Sequence, residues 1–218
     1  SGGYFMMAIK TDGTLWAWRN APNGRLGLND NTKRSSPTQV GTNTNWDSID
    51  TGGATSFATK TDGTFWSWGS GSGDGDLGHN DKSNYSSPKQ LPGTNWATGY
   101  QKRSAFSQGG AAIKTDGTLW AWGNNGQGEL GQNNTTEYSS PRQIGTNTTW
   151  RSVQGGNDGM MATKTDGTLW GWGLNTNGQL GVNDRTQYSS PKQVGSGTSW
   201  DEKIGYSAFA FFGSQIPT

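Results

Sequence analysis

Short runs of alternating apolar and polar residues flank an Asp-Gly pair, and this pattern predicts β-hairpins. Around Asp116-Gly117, residues 112–115 form one predicted strand and residues 118–122 form the next. Asp-Gly between two such runs favours a type I′ turn, in which both central residues have positive φ. The second strand is apolar on both faces, which is typical of a sheet that is covered on both sides.

The same hairpin pattern occurs four times, so the chain is built of repeats. The sequence K-T-D-G-T begins at Lys10, Lys60, Lys114 and Lys164, at spacings of 50, 54 and 50 residues. Each copy continues through W-x-W, G-x-L-G and S-S-P to a third tryptophan, and the four copies contain all 12 tryptophans of the chain. The four additional residues of the second interval follow Trp96.

A sheet of about four strands that recurs every 50 residues or so is a propeller blade, which must stack on its neighbours to bury its apolar faces. We therefore predict an all-β protein, a β-propeller of about four blades in one domain spanning residues 1–218. The expected repeats are 1–49, 50–99, 100–153 and 154–203, and 204–218 supplies one extra strand. No window has the 3.6-residue apolar period of a helix.

Three arrangements of the blades remain open at this point. The chain could form a closed ring of four, a partial ring that another chain completes, or a fragment of a longer ring. Residues 208–212 match the first strand of a unit, so that strand is counted five times and the others four. This count favours an incomplete ring.

One repeat carries a family resemblance. The run from Thr115 to Asn125, followed by Gly128-Glu129-Leu130-Gly131, resembles the repeat of the regulator of chromosome condensation family, and the resemblance covers essentially the whole chain. It implies a β-propeller, usually of seven blades. The regularity of the repeat looks bacterial or viral. The weakly charged composition, rich in Asn, Thr, Gly and Trp, is typical of exposed proteins and favours an extracellular or virion surface over the cytoplasm.

Composition excludes several classes of function. The chain has 17 Lys and Arg against 16 Asp and Glu, so it lacks the basic surface that nucleic acid requires. It has no cysteine and only one histidine, His79, so thiolate metal sites and a Ser-His-Asp triad are not expected. No run approaches the 18 apolar residues of a membrane helix. We expect no enzyme, cofactor, metal or membrane insertion.

The repeated residues are more easily explained by structure than by binding. Four lysines and four Asp-Gly turns could form a binding collar on one rim, but charged rows are usually solvated edges. The strict period of the tryptophans favours core packing over a stacking platform for bases or sugars. Asn-Asp pairs such as Asn29-Asp30 suggest turns more strongly than calcium loops, because one or two carboxylates per loop is a poor ligand count.

Positions at which the copies differ are better binding candidates. Before S-S-P the copies place Arg34, Tyr85, Tyr138 and Tyr188, and exposed tyrosines are good anchors for proteins or glycans. Within G-x-L-G, the variable residue includes Arg25 and Glu129. The inserted segment after Trp96 contains Tyr100, Lys102 and Arg103, and insertions in repeat proteins often map to the binding face.

Three functions follow as hypotheses. The first is a non-catalytic propeller that binds a protein partner, or that forms part of a larger assembly or a homo-oligomer. The second is glycan recognition by a lectin-like propeller. The third is nucleotide exchange on a small GTPase or chromatin docking, as the resemblance implies, and the near-neutral charge disfavours it.

Overall fold

The computed structural model of the chain describes residues 5–71, 73–207 and 210–215, in which strands dominate and one turn of 3₁₀ helix occurs at Pro22–Gly24. The strands are β1 (Phe5–Ile9), β2 (Leu15–Arg19), β3 (Arg34–Gln39), β4 (Trp46–Thr51), β5 (Thr55–Lys60), β6 (Phe65–Gly69), β7 (Tyr85–Gln90), β8 (Arg103–Phe106), β9 (Gly109–Ile113), β10 (Leu119–Gly123), β11 (Tyr138–Gln143), β12 (Trp150–Gly155), β13 (Gly159–Lys164), β14 (Leu169–Gly173), β15 (Tyr188–Gln193), β16 (Trp200–Ser207) and β17 (Ala210–Gln215).

These strands form five antiparallel sheets in which every strand pairs with its neighbour in sequence. Sheet 1 contains β1–β3, sheet 2 contains β4–β7, sheet 3 contains β8–β11, sheet 4 contains β12–β15 and sheet 5 contains β16 and β17. The predicted all-β propeller architecture is confirmed. The predicted extra strand lies partly outside the described residues, since residues 208 and 209 are not described, and β17 begins at Ala210.

The sheets are offset from the repeats expected at 1–49, 50–99, 100–153 and 154–203. The third tryptophan of one unit begins the first strand of the following sheet, as in the pairing of Trp46 with Lys60 and of Trp150 with Lys164. Each four-stranded sheet is therefore assembled from two consecutive units. The chain therefore connects neighbouring sheets covalently, because the end of each unit supplies the first strand of the next sheet.

The expected type I′ turn is wrong. Gly117 has positive φ (78°), but Asp116 does not, and Lys114 donates its N–H to the Thr118 carbonyl across a longer hairpin. The Asp116 carboxylate accepts hydrogen bonds from the N–H and the hydroxyl of Thr118, at 3.0 and 2.7 Å. Those bonds favour a type I turn followed by a left-handed glycine, which is the next most common hairpin connection.

The core lies between the sheets rather than within one of them. Between sheets 3 and 4, Leu119, Leu130 and Ile144 of sheet 3 pack against Trp150 and Trp172 of sheet 4. The clusters between sheets 1 and 2 and between sheets 2 and 3 have equivalent members. The second tryptophans of sheets 2 to 4 have no solvent exposure. Core packing, predicted from their period, explains these indoles.

The lysine of each K-T-D-G-T copy lies over an indole rather than projecting from a solvated edge. Lys164 Nζ is 3.9 Å from the ring centroid of Trp170, and the Trp170 Nε1–H donates to the Thr168 hydroxyl at 2.8 Å. That hydroxyl donates to Asp166 at 2.7 Å. All four copies repeat these contacts. The repeated lysines and aspartates therefore stabilise their hairpins through cation–π contacts and hydrogen bonds.

Candidate functional site

A cavity of about 640 Å³ opens where the first strands of sheets 2 to 5 converge. Its wall includes the ends of β4, β8 and β12, together with Ile204 of β16. Two glycine pairs, Gly52-Gly53 and Gly155-Gly156, line it. Its lining is polar to a large extent, with Asp50, Gln154 and Asn157 among the contributors.

Tyr100 lies at the rim of this cavity. Its side chain is 79% exposed, and no other large hydrophobic residue in the described parts of the chain is classed as exposed. The adjacent Gln101 has φ of 63°, is buried, and donates from Nε2 to the carbonyl of Ile204 at 3.3 Å. The loop is therefore anchored from below while the tyrosine ring projects from it.

Asp50 and Arg103 provide opposite charges beneath the rim. Asp50 is held by the N–H of Ala105, at 2.7 Å from one carboxylate oxygen, and by the N–H of Thr51, at 2.8 Å from the other. Burial raises the pKa of Asp50, and the nearby Arg103 charge acts in the opposite direction. Burial lowers the pKa of Arg103 to about 10, while Asp50 and Asp47 oppose that shift.

The Arg103 guanidinium is only partly satisfied. One of its terminal nitrogens donates to the Thr59 hydroxyl and to the Gly99 carbonyl, each at 3.2 Å. Its Nε is buried and has no hydrogen-bond partner among the described residues.

Lys102 and Arg103 do not form the exposed basic loop that the inserted segment suggested. Arg103 is 4% exposed and starts β8, the first strand of sheet 3. Lys102 is half-buried, donates to the Arg151 carbonyl at 2.5 Å and forms an ion pair with Glu202 at 3.6 Å. These contacts join three sheets. The insertion therefore contributes one exposed anchor, Tyr100, together with supports beneath it.

The three tyrosines before S-S-P lie half-buried on the rim of each sheet. Tyr188 donates its hydroxyl to Asp184 at 2.7 Å and lies under Lys192, and Tyr85 makes the equivalent contacts with Asp81 and Lys89. Tyr138 accepts from Asn134 at 3.2 Å. Arg34 replaces the tyrosine in sheet 1 and pairs with Asp30 at 2.7 Å. These side chains are held by neighbours and lie apart from the cavity.

Arg25 and Glu129 are buried between sheets. Arg25 donates from one terminal nitrogen to the Gly53 carbonyl of sheet 2 at 3.1 Å. Glu129 accepts the N–H of Gln127 at 2.7 Å, and burial raises its pKa, with Asp158 and Asp74 adding to the effect. Neither is displayed at the surface. The recurring contact of this position is made by its backbone carbonyl, which accepts an indole N–H from the next sheet, so the side chain can vary.

Sequence reasoning missed Asp50, Gln154 and the two glycine pairs of the cavity. Asp50 and Gln154 lie on β4 and β12, and the glycine pairs lie at or directly after the ends of these strands, in a segment where the four units share only the leading tryptophan. His79, the one histidine of the sequence, lies near the rim of sheet 2. It packs edge-on against Tyr85, and its Nε2 lies 2.9 Å from the Ser67 hydroxyl.

Other kinds of site find no support in the described part of the chain. No group of three or more His, Cys, Asp or Glu side chains comes together there as a metal site would require. None of its helices has the length and apolarity needed to cross a bilayer. The cavity has hydrogen-bonding groups, the opposite charges of Asp50 and Arg103, and an aromatic rim.

The sequence and the structure both have recognisable relatives. Residues 116–163 and 166–202 match the family model of the regulator of chromosome condensation (RCC1) repeat, and residues 150–179 match a second model of that repeat. The structure of human WBSCR16 is similar at 21% identity, with a TM-score of 0.78, over 92% of this chain and 53% of that chain.

Two yeast structures are also similar. A structure of Kap60 bound to yeast RCC1 (Prp20) matches at 18% identity with a TM-score of 0.82, over 99% of this chain and 53% of that chain. A structure of Prp20p from Saccharomyces cerevisiae, whose description includes binding to Gsp1p and histones, matches at 18% identity with a TM-score of 0.69, over 89% and 49%. The chain thus spans about half the length of these proteins, and the likeness shows the fold.

Proposed function

Because the chain is a β-propeller of the RCC1 repeat family, we propose that it is a non-catalytic binding module that engages a protein partner at the mouth of its cavity. The observation that carries the proposal is Tyr100. A 79% exposed aromatic ring stands at the edge of a preformed concave surface, in a chain whose other large apolar side chains are at least half-buried wherever they are described.

Tyrosine at the edge of a pocket is a favourable anchor for a polypeptide. Its ring buries a large area at low conformational-entropy cost, and its hydroxyl can donate or accept a hydrogen bond. Hot-spot residues are enriched in tyrosine and lie beside well-packed pockets. The anchored position of Gln101 limits movement of the loop, so less ordering is needed when a partner binds.

The cavity suits a polar segment of a protein. The side chains of Asp50, Gln154 and Asn157 line it beside the glycine pairs Gly52-Gly53 and Gly155-Gly156, so its wall is polar and has few bulky side chains. The volume of about 640 Å³ lies within the range of pockets that take a small ligand or a few residues of a peptide. A side chain that bonds to Arg103 or Asp50 would then give specificity in addition to the contact with Tyr100.

A binding role is also the role that the related proteins' descriptions mention. Yeast RCC1 (Prp20) is described in a complex with Kap60, and Prp20p is described with Gsp1p and histones. This chain has a net charge of +1, so we do not extend histone binding to it. Glycan binding remains a prediction of the sequence, and the tryptophans do not support it, because their rings pack between sheets or lie under lysines.

The proposal is tested by selecting binders and mapping where they attach. Peptides are selected from a displayed random library on the folded chain, and each affinity is measured for wild type, Tyr100→Ala and Tyr188→Ala. We expect Tyr100→Ala to weaken binding at least tenfold, since such anchors exceed about 1.4 kcal/mol. Tyr188→Ala is the matched control, because it removes the same ring from a rim away from the cavity.

NMR shift mapping of the bound peptide supplies the second readout. We expect the perturbed amides to include residues 49–53, 100–107 and 154–157, which surround the cavity. Binders that retain full affinity for Tyr100→Ala, or that perturb only the rims of the sheets, contradict the proposal.

A further inference from the structure

A second cavity, separate from the one beneath Tyr100, lies between sheets 3 and 4. Its volume is about 310 Å³, and it shares no lining residue with the first cavity. Sheet 3 contributes residues 131–133 and the loop that follows β11, and sheet 4 contributes Trp150, Lys164 and Trp170. The volume is at the lower end of the range for ligand pockets, so the cavity suits a small molecule or a chain end.

Lys164 is the one charged side chain among the described residues that line this cavity. The residue is 6% exposed, and its Nζ lies 3.9 Å from the ring centroid of Trp170 and 4.8 Å from that of Trp150. Within the described parts of the chain, the ammonium donates no hydrogen bond and has no carboxylate within 4 Å. An ammonium has three N–H donors, so the two indole faces do not replace the acceptor that it lacks.

The electrostatics of the cavity favour an anion. Burial lowers the pKa of the Lys164 ammonium, and the charge of Asp166 opposes this shift from beyond ion-pair distance. The Asp166 carboxylate is itself held by the N–H and the hydroxyl of Thr168, at 3.0 and 2.7 Å. A carboxylate placed in the cavity would supply both the acceptor and the opposite charge, and hydrogen bonds between ionised groups are the strong ones.

The equivalent lysine of sheet 3 has a different loop beside it. Lys114 lies 3.9 Å from Trp120 and 5.0 Å from Trp96, so its cation–π contacts are similar. The segment before Trp96 is one residue shorter than the segment before Trp150, and its Pro92 carbonyl accepts the Trp96 Nε1–H at 3.3 Å. Among the described residues no carbonyl accepts the Trp150 N–H. The longer segment instead lines the cavity with Ile144, Gly145 and Asn147.

The joint between sheets 1 and 2 resembles this one in part. Lys60 is as buried as Lys164, and its Nζ lies 4.1 Å from the ring centroid of Trp66. Leu28 takes the place that Gln132 has in the wall of the cavity between sheets 3 and 4. Lys60 and Lys114 therefore provide two internal comparisons, in which the lysine and its indoles are kept and the surrounding wall differs.

The remaining wall of the cavity is suited to an apolar group. Ile144 is buried and lines it beside the two indoles, and Pro191 of β15 lines it from sheet 4. Asn133 and Asn147 are exposed, so they mark the side of the cavity that is open to solvent. A ligand that fits has a negative charge at one end and a short apolar body next to it.

We propose that this cavity binds a small monocarboxylate, whose carboxylate accepts a hydrogen bond from Lys164 and whose apolar ring or short chain packs against Ile144 and Pro191. A free organic acid and the C-terminus of a peptide with an apolar last residue share this chemistry, and the experiment separates them. The inference does not depend on the proposed function, because the two cavities have no residue in common.

Benzoate is the first probe, added in increasing amounts to the nitrogen-15-labelled full chain. We expect saturable NMR shifts of the indole N–H signals of Trp150 and Trp170 and of the amides of residues 131–133 and 144–147, which line the cavity. Benzamide has the same ring without the charge and should bind at least tenfold more weakly, since a hydrogen bond to a charged group contributes about 1.5–3 kcal/mol. Shifts that do not saturate, shifts confined to other parts of the chain, or equal affinity for benzamide overturn the proposal.

Three lysine variants then assign the charge. Lys164→Met keeps the aliphatic stem and removes the ammonium, so it should weaken benzoate binding at least tenfold. Lys114→Met and Lys60→Met remove the equivalent lysines and should leave the affinity within about twofold of wild type. Equal losses in all three variants, or full affinity in Lys164→Met, contradict the assignment. Lys164→Arg keeps the charge and should retain more affinity than Lys164→Met, which separates loss of the charge from loss of packing.

A second acid identifies the source of the carboxylate. N-acetylphenylalanine represents a peptide C-terminus, and its amide is the uncharged control. Binding of this acid at least as tight as that of benzoate, with no binding of the amide, assigns the cavity to a chain end, whereas binding of benzoate alone assigns it to a free acid. If neither acid binds, the proposal is wrong. Saturating benzoate should leave the affinity of peptides that depend on Tyr100 unchanged, so this proposal and the proposed function can fail separately.

Discussion

The indole Nε1–H of Trp172 donates to the carbonyl oxygen of Glu129, 2.8 Å away in the preceding sheet. The acceptor is a backbone atom, so the side chain at that position is not needed for the contact. This explains why the G-x-L-G loops tolerate arginine, aspartate, glutamate and glutamine at one site. The variation of Arg25 and Glu129 reflects freedom at a backbone-mediated joint rather than the display of different side chains to a partner.

The first prediction concerns this joint. Trp122→Phe removes the donor to Asp76, leaves a buried carbonyl without its partner and opens a space beside Leu77 and Leu91. An unsatisfied buried acceptor costs about 1–3 kcal/mol, and lost packing adds to it. We expect the free energy of unfolding in urea to fall by about 2–4 kcal/mol.

The matched control for that change is Trp18→Phe. Trp18 holds the same register position in sheet 1 but donates to no described carbonyl and is half-buried. In dilute protein its substitution should cost about 1 kcal/mol or less, as expected for a partly exposed site. Equal losses for the two variants would mean that the hydrogen bond between the sheets contributes little.

The second prediction concerns the pH dependence of stability at Asp76. Burial raises the pKa of this carboxyl to about 6, with the neighbouring Asp74 adding to the shift, and one of its oxygens has no partner in the described structure. The unfolded carboxyl has a pKa near 3.8, so between about pH 4 and 6 the folded state binds more protons than the unfolded state. Stability from this group is therefore present below pH 4 and is lost as the pH rises through 6.

Asp76→Asn should remove that dependence. The amide stays neutral at all pH values and keeps an oxygen acceptor, the role that the Gln179 amide oxygen fills in sheet 4 by accepting the Asn177 N–H at 2.9 Å. At pH 7 we expect the variant to be more stable than wild type by about 1–2 kcal/mol, after allowance for solvent screening. At pH 4 the two proteins should unfold at nearly the same urea concentration. A constant difference across this range contradicts the assignment.

The third prediction concerns His79, where the pH dependence of stability has the opposite sign to that at Asp76. Burial lowers the pKa of this imidazole to about 4, and Lys89 adds to the effect. The unfolded histidine titrates near 6.5, so as the pH falls from 6.5 to 4 the unfolded state takes up the proton first. The contribution of neutral His79 is therefore complete above pH 6.5 and declines towards pH 4.

His79→Gln should flatten this acid-side loss. Glutamine occupies the equivalent position in sheet 3, where Gln132 donates to the Gln143 carbonyl at 3.1 Å, so the fold accommodates it. We expect thermal unfolding of wild type to lose about 1–2 kcal/mol more than the variant between pH 6.5 and 4.5. Parallel curves for the two proteins over that interval would show that His79 titrates normally.

The sequence predicted the parts of the fold that repeat. Four copies of tryptophan, glycine and proline at fixed spacing placed the hairpins, the buried indoles and the four units, because packing between identical neighbours imposes the same residues each time. The turn type at Asp116-Gly117 was wrong, since the hydrogen bonds from Thr118 to the carboxylate favour another turn. The offset of the sheets from the units depends on pairing across the unit boundary, which no local pattern encodes.

The candidate site was only partly predictable, because most of its residues lie where the repeats differ in sequence. Tyr100 was singled out because the insertion interrupts the period, and the structure places it at the cavity rim. Asp50 and Gln154 lie on strands whose sequences differ from copy to copy, so nothing in the repeat marked them. Arg103 was expected at the surface because it lies in the inserted segment after Trp96. Its burial follows from the Asp50 and Asp47 charges nearby, which the sequence separates from it by more than 50 residues.

The fourth prediction measures how Asp50 and Arg103 depend on each other. Removing the Arg103 charge leaves the buried Asp50 carboxylate without its opposing charge, and also removes the donor to Thr59 and Gly99. Breaking a buried ion pair from one side typically costs about 3–5 kcal/mol. Asp50 and Arg103 interact through their charges without a direct ion pair, and backbone N–H groups also hold Asp50, so we expect Arg103→Met to cost about 2–3 kcal/mol.

Asp50→Asn should cost less, because an amide oxygen can still accept the Ala105 N–H and no charge is left buried at that position. In the double variant residue 50 is an uncharged amide, so Arg103→Met no longer leaves a buried carboxylate without an opposing charge. The cost of Arg103→Met should therefore be smaller in the Asp50→Asn background by about 1 kcal/mol, which lies within the range of coupling energies for residues that share a network. Urea unfolding of the wild type, both single variants and the double variant gives this coupling directly, and strictly additive costs would show that the two charges stabilise the cavity wall independently.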